Sequence, residues 1–197
     1  MRVKTIFFLP FFAALLTGCV AGQTIDMAMK QPEVKAASLG IPVVLQTTDQ
    51  RPYVLSGNKS PAYIGHYRGG FGNVFDVKTV DAVALATMIQ KDLLSELTGL
   101  GFQVGDDKQA KIIKVEIKDW NFNAYLNGRF VYALELSIND PSGQNLYKKN
   151  FSGEEVINGS IWTGAKGAFE REMPKIYSKV LKSLLHENAE ALNVLKK

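Results

Sequence analysis

The sequence predicts an α+β domain of two layers, in which two amphipathic helices pack on one face of an antiparallel sheet. Three observations indicate this class: apolar and polar residues alternate between residues 113 and 156, and two segments near 81–100 and 165–185 carry apolar residues at helical spacing. The sheet is expected to consist of a β-meander and one N-terminal strand. Such an order of elements in a chain of 197 residues is typical of a single domain.

The N-terminal segment has the three parts of a secretory signal. A positively charged start precedes an almost unbroken apolar run, and small residues lead into Cys19, the only cysteine. The run is too short to cross a bilayer, which takes about 20 residues. We therefore expect a signal peptide over residues 1–18, a lipidated N-terminal tether over 19–38 and a single α+β periplasmic domain over 39–197.

The end of the signal indicates how the protein is held. Leu16-Thr17-Gly18-Cys19 resembles the bacterial lipobox, in which the cysteine thiol takes a diacylglyceryl group and the cysteine becomes the new N-terminus. This resemblance implies a palmitate-bearing lipoprotein, anchored to the membrane through acylated Cys19. Val20 stands where an Asp would favour retention in the inner membrane, so we expect the periplasmic face of the outer membrane. The alternative is an ordinary cleaved signal with a chance cysteine.

The first half of the domain is predicted to hold one strand, one irregular region and one helix. Residues 41–47 are rich in β-formers, and the four glycines of 65–73 indicate a flexible loop or hairpin tip. The helix is expected to begin with Asp81 as its N-cap and to end at Gly101, with a short strand after it. Its polar side is expected to hold four residues: Gln90, Lys91, Asp92 and Glu96.

The second half is predicted to be a three-stranded meander followed by a helix. Asn127-Gly128 is a hairpin signal, and residues 140–143 form an Asp-Pro-Ser-Gly turn. The C-terminal helix begins near Ala165, and Pro174 inside its apolar stripe predicts a kink or a break.

Charge and composition argue against several functional classes. The formal net charge of +4 falls to +2 when Arg2 and Lys4 leave with the signal, and no run of basic residues indicates a nucleic-acid partner. The two histidines, His66 and His186, come without further ligands at metal-binding spacing, so we expect neither a metal nor a cofactor. Because no nucleophile and base stand in a recognisable pattern, we expect no catalytic residues and no enzyme activity.

Two features leave alternatives open. Tyr63, Tyr67, Arg68 and Phe71 are the members of a candidate partner-binding loop, because aromatic residues and Arg are enriched at interfaces. The simpler alternative is a loop whose rings fold back on the core. Asp49-Gln50-Arg51 contains charges that suit either a polar ligand or, more simply, an ion pair at the end of a strand.

Several motifs together resemble those of the YajG-like outer-membrane lipoproteins. They are the lipobox, an early strand ending in Asp49-Gln50-Arg51, a helix closing in Leu-Leu-x-x-Leu with Gly-Phe-x-Val after it (Leu93 to Val104), and the strand motif Phe151-Ser152-Gly153-Glu154. The resemblance spans most of residues 40–190, and it implies an envelope lipoprotein of undetermined role without assigned catalytic residues.

These observations lead to one expected function and one alternative. We expect a lipid-anchored envelope lipoprotein with a non-enzymatic, structural or partner-binding role in the periplasm. Its partners are the membrane, through the acylated cysteine, and other proteins of the envelope. The alternative, on fold-level analogy, is an accessory lipoprotein subunit of an envelope lipid-transport system.

Overall fold

A computed structural model describes residues 23–29, 36–68, 73–125, 127–159 and 164–197. The predicted signal peptide, Cys19 and Phe71 lie outside these residues. No helix within the described part of the chain is both long and apolar enough to span a bilayer.

The described residues form an α+β fold with one eight-stranded sheet and four α-helices. The strands are β1 (Gln23–Ile25), β2 (Pro42–Asp49), β3 (Tyr63–Arg68), β4 (Val74–Thr79), β5 (Gln103–Val104), β6 (Lys111–Ala124), β7 (Gly128–Asn139) and β8 (Asn145–Ile157). The helices are α1 (Pro52–Leu55), α2 (Leu85–Gly99), α3 (Gly164–Leu184) and α4 (Ala189–Lys196).

The predicted meander is confirmed. β6, β7 and β8 are consecutive antiparallel neighbours, and they are joined at the predicted Asn127-Gly128 and 140–143 turns. Gly128 is required at the first turn because a Cβ there would collide with the ring of Phe169 on α3. The meander and α3 are therefore in close contact at Gly128 and Phe169.

The sheet as a whole is mixed, so the prediction of an antiparallel sheet is wrong outside the meander and the β3–β4 hairpin. β2 runs parallel to both β5 and β6, β3 runs parallel to β6, and β1 runs parallel to β4. A parallel pair needs a long crossover connection, and the chain between β2 and β6 supplies one that includes α2.

β6 is the strand at which the sheet divides. β7 follows one edge of β6 throughout, whereas the other edge pairs with β2 over residues 111–117 and with β3 at 123–124. A β-bulge lies between Ile117 and Asp119, where the partner changes. Because bulges bend a strand and increase its twist, the sheet curls into a half-barrel at this position.

α2 and α3 share one apolar core with the sheet, as predicted. On α2 the buried apolar residues are Leu85, Ile89, Leu93 and Leu97, and on α3 the buried stripe includes Phe169, Met173, Tyr177, Leu181 and Leu184. The predicted polar side of α2 is wrong at Asp92 and Glu96, which are both buried. They lie three and four positions from buried apolar residues, on the same side of the helix.

The helix ends differ in part from the prediction. Gly101 follows α2 with a φ of +91°, as expected of a C′ glycine. Asp81 is not an N-cap: it lies in a short 3₁₀ turn with a φ of 55°, and α2 begins four residues later. α3 continues past Pro174 without ending, and α4 is an additional helix that Asn188 caps by accepting a hydrogen bond from Ala191 N.

The segment predicted as a tether contributes to the domain. Gln23–Ile25 pair with β4, and the side chains of Ile25 and Met27 are buried in the core. Ala36 N and Leu39 N donate hydrogen bonds to carbonyl oxygens at the end of α2, both at 2.8 Å. The described parts of 19–38 are therefore docked rather than free.

Candidate functional site

Two residues of the predicted partner-binding loop, Tyr63 and Tyr67, are buried. Tyr63 and Tyr67 belong to β3, which lies between β4 and β6, and their exposed fractions are 3% and 8%. The Tyr67 ring packs against the rings of Phe122 and Phe169, with centroids 5.4 and 6.1 Å apart. The alternative of core packing is therefore correct for both tyrosines.

The remaining two residues of the predicted loop are Arg68 and Phe71. Arg68 is exposed, and its Nε donates a 2.8 Å hydrogen bond to Asn123 Oδ1 on β6. Phe71 lies outside the described residues, as does Cys19, so lipidation of Cys19 stays a prediction.

Gly65 lies where β3 and β6 approach each other closely. It has a φ of +155°, and a Cβ there would overlap the ring and carbonyl oxygen of Phe122 on β6. The glycine permits the close approach of two strands, so its presence is a packing requirement and not a sign of flexibility.

A buried polar cluster lies at the division of the sheet, and Arg51 is its centre. The Arg51 side chain is fully buried, and Nε and Nη2 donate to the two carboxylate oxygens of Asp49 at 2.8 and 2.7 Å. Nη1 donates to Tyr63 O at 2.5 Å and Nη2 to Pro61 O at 3.0 Å. The predicted ion pair at the end of β2 is confirmed, and its second pair of bonds ties β2 to the start of β3.

Tyr53 and Asp119 complete this cluster on the side of β6. The Tyr53 hydroxyl lies 2.9 Å from Trp120 O and 3.1 Å from Asp119 Oδ1, next to the bulge. Burial raises the pKa of Tyr53 above its ordinary value, against the opposing charge of Arg51. Together these groups bond to the backbone of β6 at Trp120 and to the backbone that leads into β3, so the cluster acts as a structural joint.

Two acidic side chains of α2 face α3. Asp92 Oδ2 accepts a hydrogen bond from the Tyr177 hydroxyl at 2.8 Å and a longer one from Met29 N at 3.4 Å. Burial, followed by the nearby Asp92, raises the pKa of Tyr177 well above its ordinary value. Helix α2, helix α3 and the N-terminal segment therefore meet at a single carboxylate.

Glu96, one turn further along α2, is the less satisfied of the two. Its exposed fraction is 8%, His186 Nδ1 lies 3.8 Å from Oε1, and no described residue donates to Oε2. Burial raises the pKa of Glu96 to about 7, against the opposing effect of Lys182. Spacing in the sequence could have identified both carboxylates, because 85, 89, 92, 93, 96 and 97 are the positions of a single helical stripe.

An open groove of about 320 Å³ lies between α2 and the edge of β2. Its lining residues are Thr47, Ala86, Thr87, Gln90, Lys91 and Leu94. Gln90 Oε1 accepts a 3.0 Å hydrogen bond from Thr47 N. Only Pro42 and Val43 of β2 pair with β5, so the backbone of Thr47 lies beyond that pairing. The Gln90 side chain thus covers the backbone of β2 at Thr47. Both apolar and polar side chains line the groove.

The histidines occupy separate places. His66 Nδ1 lies 3.1 Å from the Tyr63 hydroxyl, and burial together with Arg68 and Lys59 lowers the pKa of His66. His186 lies beyond the end of α3, beside Glu96. Across the described ranges, no three His, Cys, Asp or Glu side chains are grouped so as to hold a metal ion.

Comparison with known proteins gives similarity of fold. No protein-family model matches the chain, and no curated protein is similar to it. A solved structure known only as an uncharacterized protein is 11% identical over 84% of this chain and 97% of its own, with a TM-score of 0.53.

Two further solved structures are more distant. Protein XCC0632 from Xanthomonas campestris, of family DUF330, is 10% identical over 86% of this chain and 95% of its own, with a TM-score of 0.49. A minor lipoprotein from Acinetobacter baumannii is 8% identical over 76% and 94%, with a TM-score of 0.42. Because these identities are low, the similarity to the uncharacterized protein shows a shared fold and nothing more. Membership of the YajG-like family stays a prediction.

Proposed function

We propose that this chain is a lipid-anchored lipoprotein of the bacterial envelope with a non-enzymatic, structural or partner-binding role. The observation that carries the proposal is Leu16-Thr17-Gly18-Cys19 at the end of a short apolar run with a basic start. The sole cysteine of the chain stands at the one place where lipoprotein maturation would use it. Val20 at the following position favours the periplasmic face of the outer membrane.

The interior of the domain supports a scaffold role. The concave face of the curled sheet is filled by rings: Trp120 packs against Phe130 and Tyr177 with centroids 5.0 and 5.7 Å apart, and Phe122 against Phe169 at 4.5 Å. The buried polar groups at Arg51 and Asp92 are engaged in tying elements together. A domain of this kind presents its outer surface to partners, which favours binding over an internal lipid cavity.

Substitution of Cys19 by serine tests the proposal, because a hydroxyl does not replace the thiol that accepts the lipid. We expect Cys19→Ser to lose labelling by radioactive palmitate in growing cells and to keep its uncleaved signal. A second variant, Cys19→Ser with Ser38→Cys, returns a thiol at a different position and should stay unlabelled. Palmitate incorporation into Cys19→Ser at the wild-type level would contradict the proposal.

Partner recovery separates the proposed role from the alternative. We expect pull-down of the wild-type protein in mild detergent to recover envelope proteins, and the same preparation to carry no phospholipid in excess of the detergent control. Reproducible recovery of the subunits of a lipid transporter, or of bound phospholipid, would favour the accessory-subunit alternative instead.

A further inference from the structure

β8 has one paired edge and one free edge. It pairs with β7 along its length except at a bulge at Leu146, and none of the described residues pairs with its other edge. An edge strand of this length offers a row of unpaired N–H and C=O groups to another chain. The side chains along such an edge determine which chain it accepts.

The hydrogen bonding of the neighbouring strands identifies the residues whose backbone faces outward. Ile117 O accepts from Gln50 N, so the backbone of Ile117 points away from β7, and its partner Leu134 therefore points toward β8. Leu134 is paired with Phe151, which consequently uses its backbone groups within the sheet. The even-numbered residues on either side, such as Asn150 and Ser152, direct theirs to the free edge.

The outward-facing residues form a self-complementary order. They are Lys148, Asn150, Ser152, Glu154 and Val156, whereas Leu146 lies at a bulge and has no partner on β7. When the order is reversed about Phe151, positive stands opposite negative and polar opposite polar. Apolar side chains near both ends of the strand are exposed, with 40% of Leu146 and 66% of Val156 accessible.

We propose that β8 pairs antiparallel with β8 of a second copy of this chain, about a two-fold axis at Phe151. In this register Lys148 lies opposite Glu154 of the second copy, and Asn150 lies opposite Ser152. Opposite residues of an antiparallel pair point to the same face of the sheet, and this condition is met because each pair joins two even-numbered residues.

The charges favour this register over other ways of pairing two β8 strands. A register centred on Ser152 would place Lys148 opposite Val156, and a parallel pairing would place each lysine beside its own copy. Lysines on an edge strand ordinarily oppose pairing with other chains. An edge with lysine at one end and glutamate at the other opposes most partners and accepts its own reversed copy.

Ion pairs between β7 and β8 within each copy would extend the charge pattern across the four strands of the dimer. On the same face, Lys148 Nζ lies 2.8 Å from Glu135 Oε1 on β7, and Arg129 on β7 forms an ion pair with Glu154. The dimer would therefore carry two rows of alternating charge, each running from Glu135 and Lys148 to Glu154 and Arg129 of the other copy. Exposed pairs contribute little singly, whereas an ordered row fixes the register.

A charge exchange tests the pairing with the full-length protein in mild detergent, by analytical ultracentrifugation over a range of concentrations. We expect a dimer for the wild type, and for Lys148→Glu a dissociation constant raised by about tenfold or more, because like charges then lie opposite each other twice. Glu154→Lys should act likewise. The double variant Lys148→Glu/Glu154→Lys should associate more tightly than either single exchange, but less tightly than the wild type, because its new side chains lie beside Glu135 and Arg129 of the same chain. Lys108→Glu, an equal charge change in an exposed turn, is the matched control and should associate as the wild type does.

A monomeric wild type at all concentrations would overturn the proposal, as would a dimer that neither single exchange weakens. A double variant that associates no more tightly than either single exchange would also overturn it. Melting curves of each variant exclude unfolding as the cause of a lost dimer.

Cross-linking at the axis provides a second test. Phe151 would face its own copy in a non-hydrogen-bonded pair with Cα atoms about 4.5 Å apart, which suits a disulfide. Phe151→Cys should give a covalent dimer that reductant dissolves. Lys149→Cys, whose copies would lie about 13 Å apart, should not. Both variants keep Cys19, so the wild type is the reference, and equal cross-linking of the two variants, or none in either, would contradict the register.

Discussion

Arg51 joins three parts of the chain through a single side chain. It neutralises Asp49 at the end of β2 and donates to the carbonyl oxygens of Pro61 and Tyr63 before and at the start of β3. A guanidinium is suited to this position because its planar donors serve a carboxylate and two carbonyls at once. The sequence predicted the ion pair but not its burial, since the strand that covers it is distant in the chain.

Replacement of Arg51 by leucine should be severely destabilising. The substitution would leave the Asp49 carboxylate without its cation and remove the Arg51 donors from the carbonyl oxygens of Tyr63 and Pro61, at a cost of about 3–5 kcal/mol in the free energy of unfolding. Urea denaturation followed by circular dichroism measures the loss. Arg68→Leu is the matched control on the exposed end of β3 and should change the stability by less than about 0.5 kcal/mol. Equal effects of the two variants would contradict the structural role of Arg51.

Individual residues also show where pattern-based prediction failed. Tyr63 and Tyr67 are aromatic residues beside a Gly-rich segment, a composition that binding loops and buried strands share. The Tyr67 ring packs against Phe122 and Phe169, which are far from it in the sequence, and the Tyr63 ring packs against Tyr53. Whether such a segment forms an exposed loop or part of the core thus depends on the residues that pack against it and not on its local composition.

Elements with local determinants were predicted well. The meander follows from alternation and two turns that each have a chemical signature, so β6, β7 and β8 match expectation. The parallel pairing of β2 with β6 could not be predicted in this way, because alternation along a strand does not specify the direction of its neighbour. The division of β6 between two partners depends likewise on the bulge after Ile117.

The contact of α2 with α3 makes stability depend on pH. Burial raises the pKa of Glu96 from 4.5 to about 7, so the folded protein holds a proton there that the unfolded chain releases at lower pH. The stabilisation associated with the protonated carboxyl is complete below pH 4.5 and is lost as the pH rises through 7. His186, Lys182 and Glu187 are the charged or titratable neighbours of this carboxyl.

Glu96→Gln should therefore flatten this pH dependence. At pH 8 the neutral amide avoids an ionised carboxylate in a buried place, and we expect it to stabilise the fold by about 1–3 kcal/mol relative to the wild type. The two proteins should have similar stability at pH 4.5. Urea titrations at both pH values measure the difference, and an equal difference at the two would show that Glu96 titrates normally.

The whole molecule includes more of the N-terminal segment than its composition indicated. Gln23–Ile25 form a parallel edge strand beside β4, although nothing in their local pattern marks them as a strand. Four peptide links separate Cys19 from Gln23, a reach of at most about 14 Å. A lipid on Cys19 would therefore hold the domain close to the membrane surface.

Truncation of Ile25 distinguishes a docked segment from a free tether. Ile25→Ala should lower the free energy of unfolding by about 2–4 kcal/mol, because it removes a side chain that is buried in the core. Thr24→Ala, at the exposed neighbouring position, should stay within about 0.5 kcal/mol of the wild type. Equal tolerance of both substitutions in urea denaturation would show that the segment is not part of the folded domain.

Mass spectrometry of the N-terminal peptide from membranes tests the lipid anchor most directly. We expect the first residue of the mature protein to be Cys19, with a mass increase that corresponds to a diacylglyceryl group and is lost in Cys19→Ser. A mature N-terminus at Cys19 with an unmodified thiol, or cleavage at another position, would contradict a lipid-anchored envelope protein.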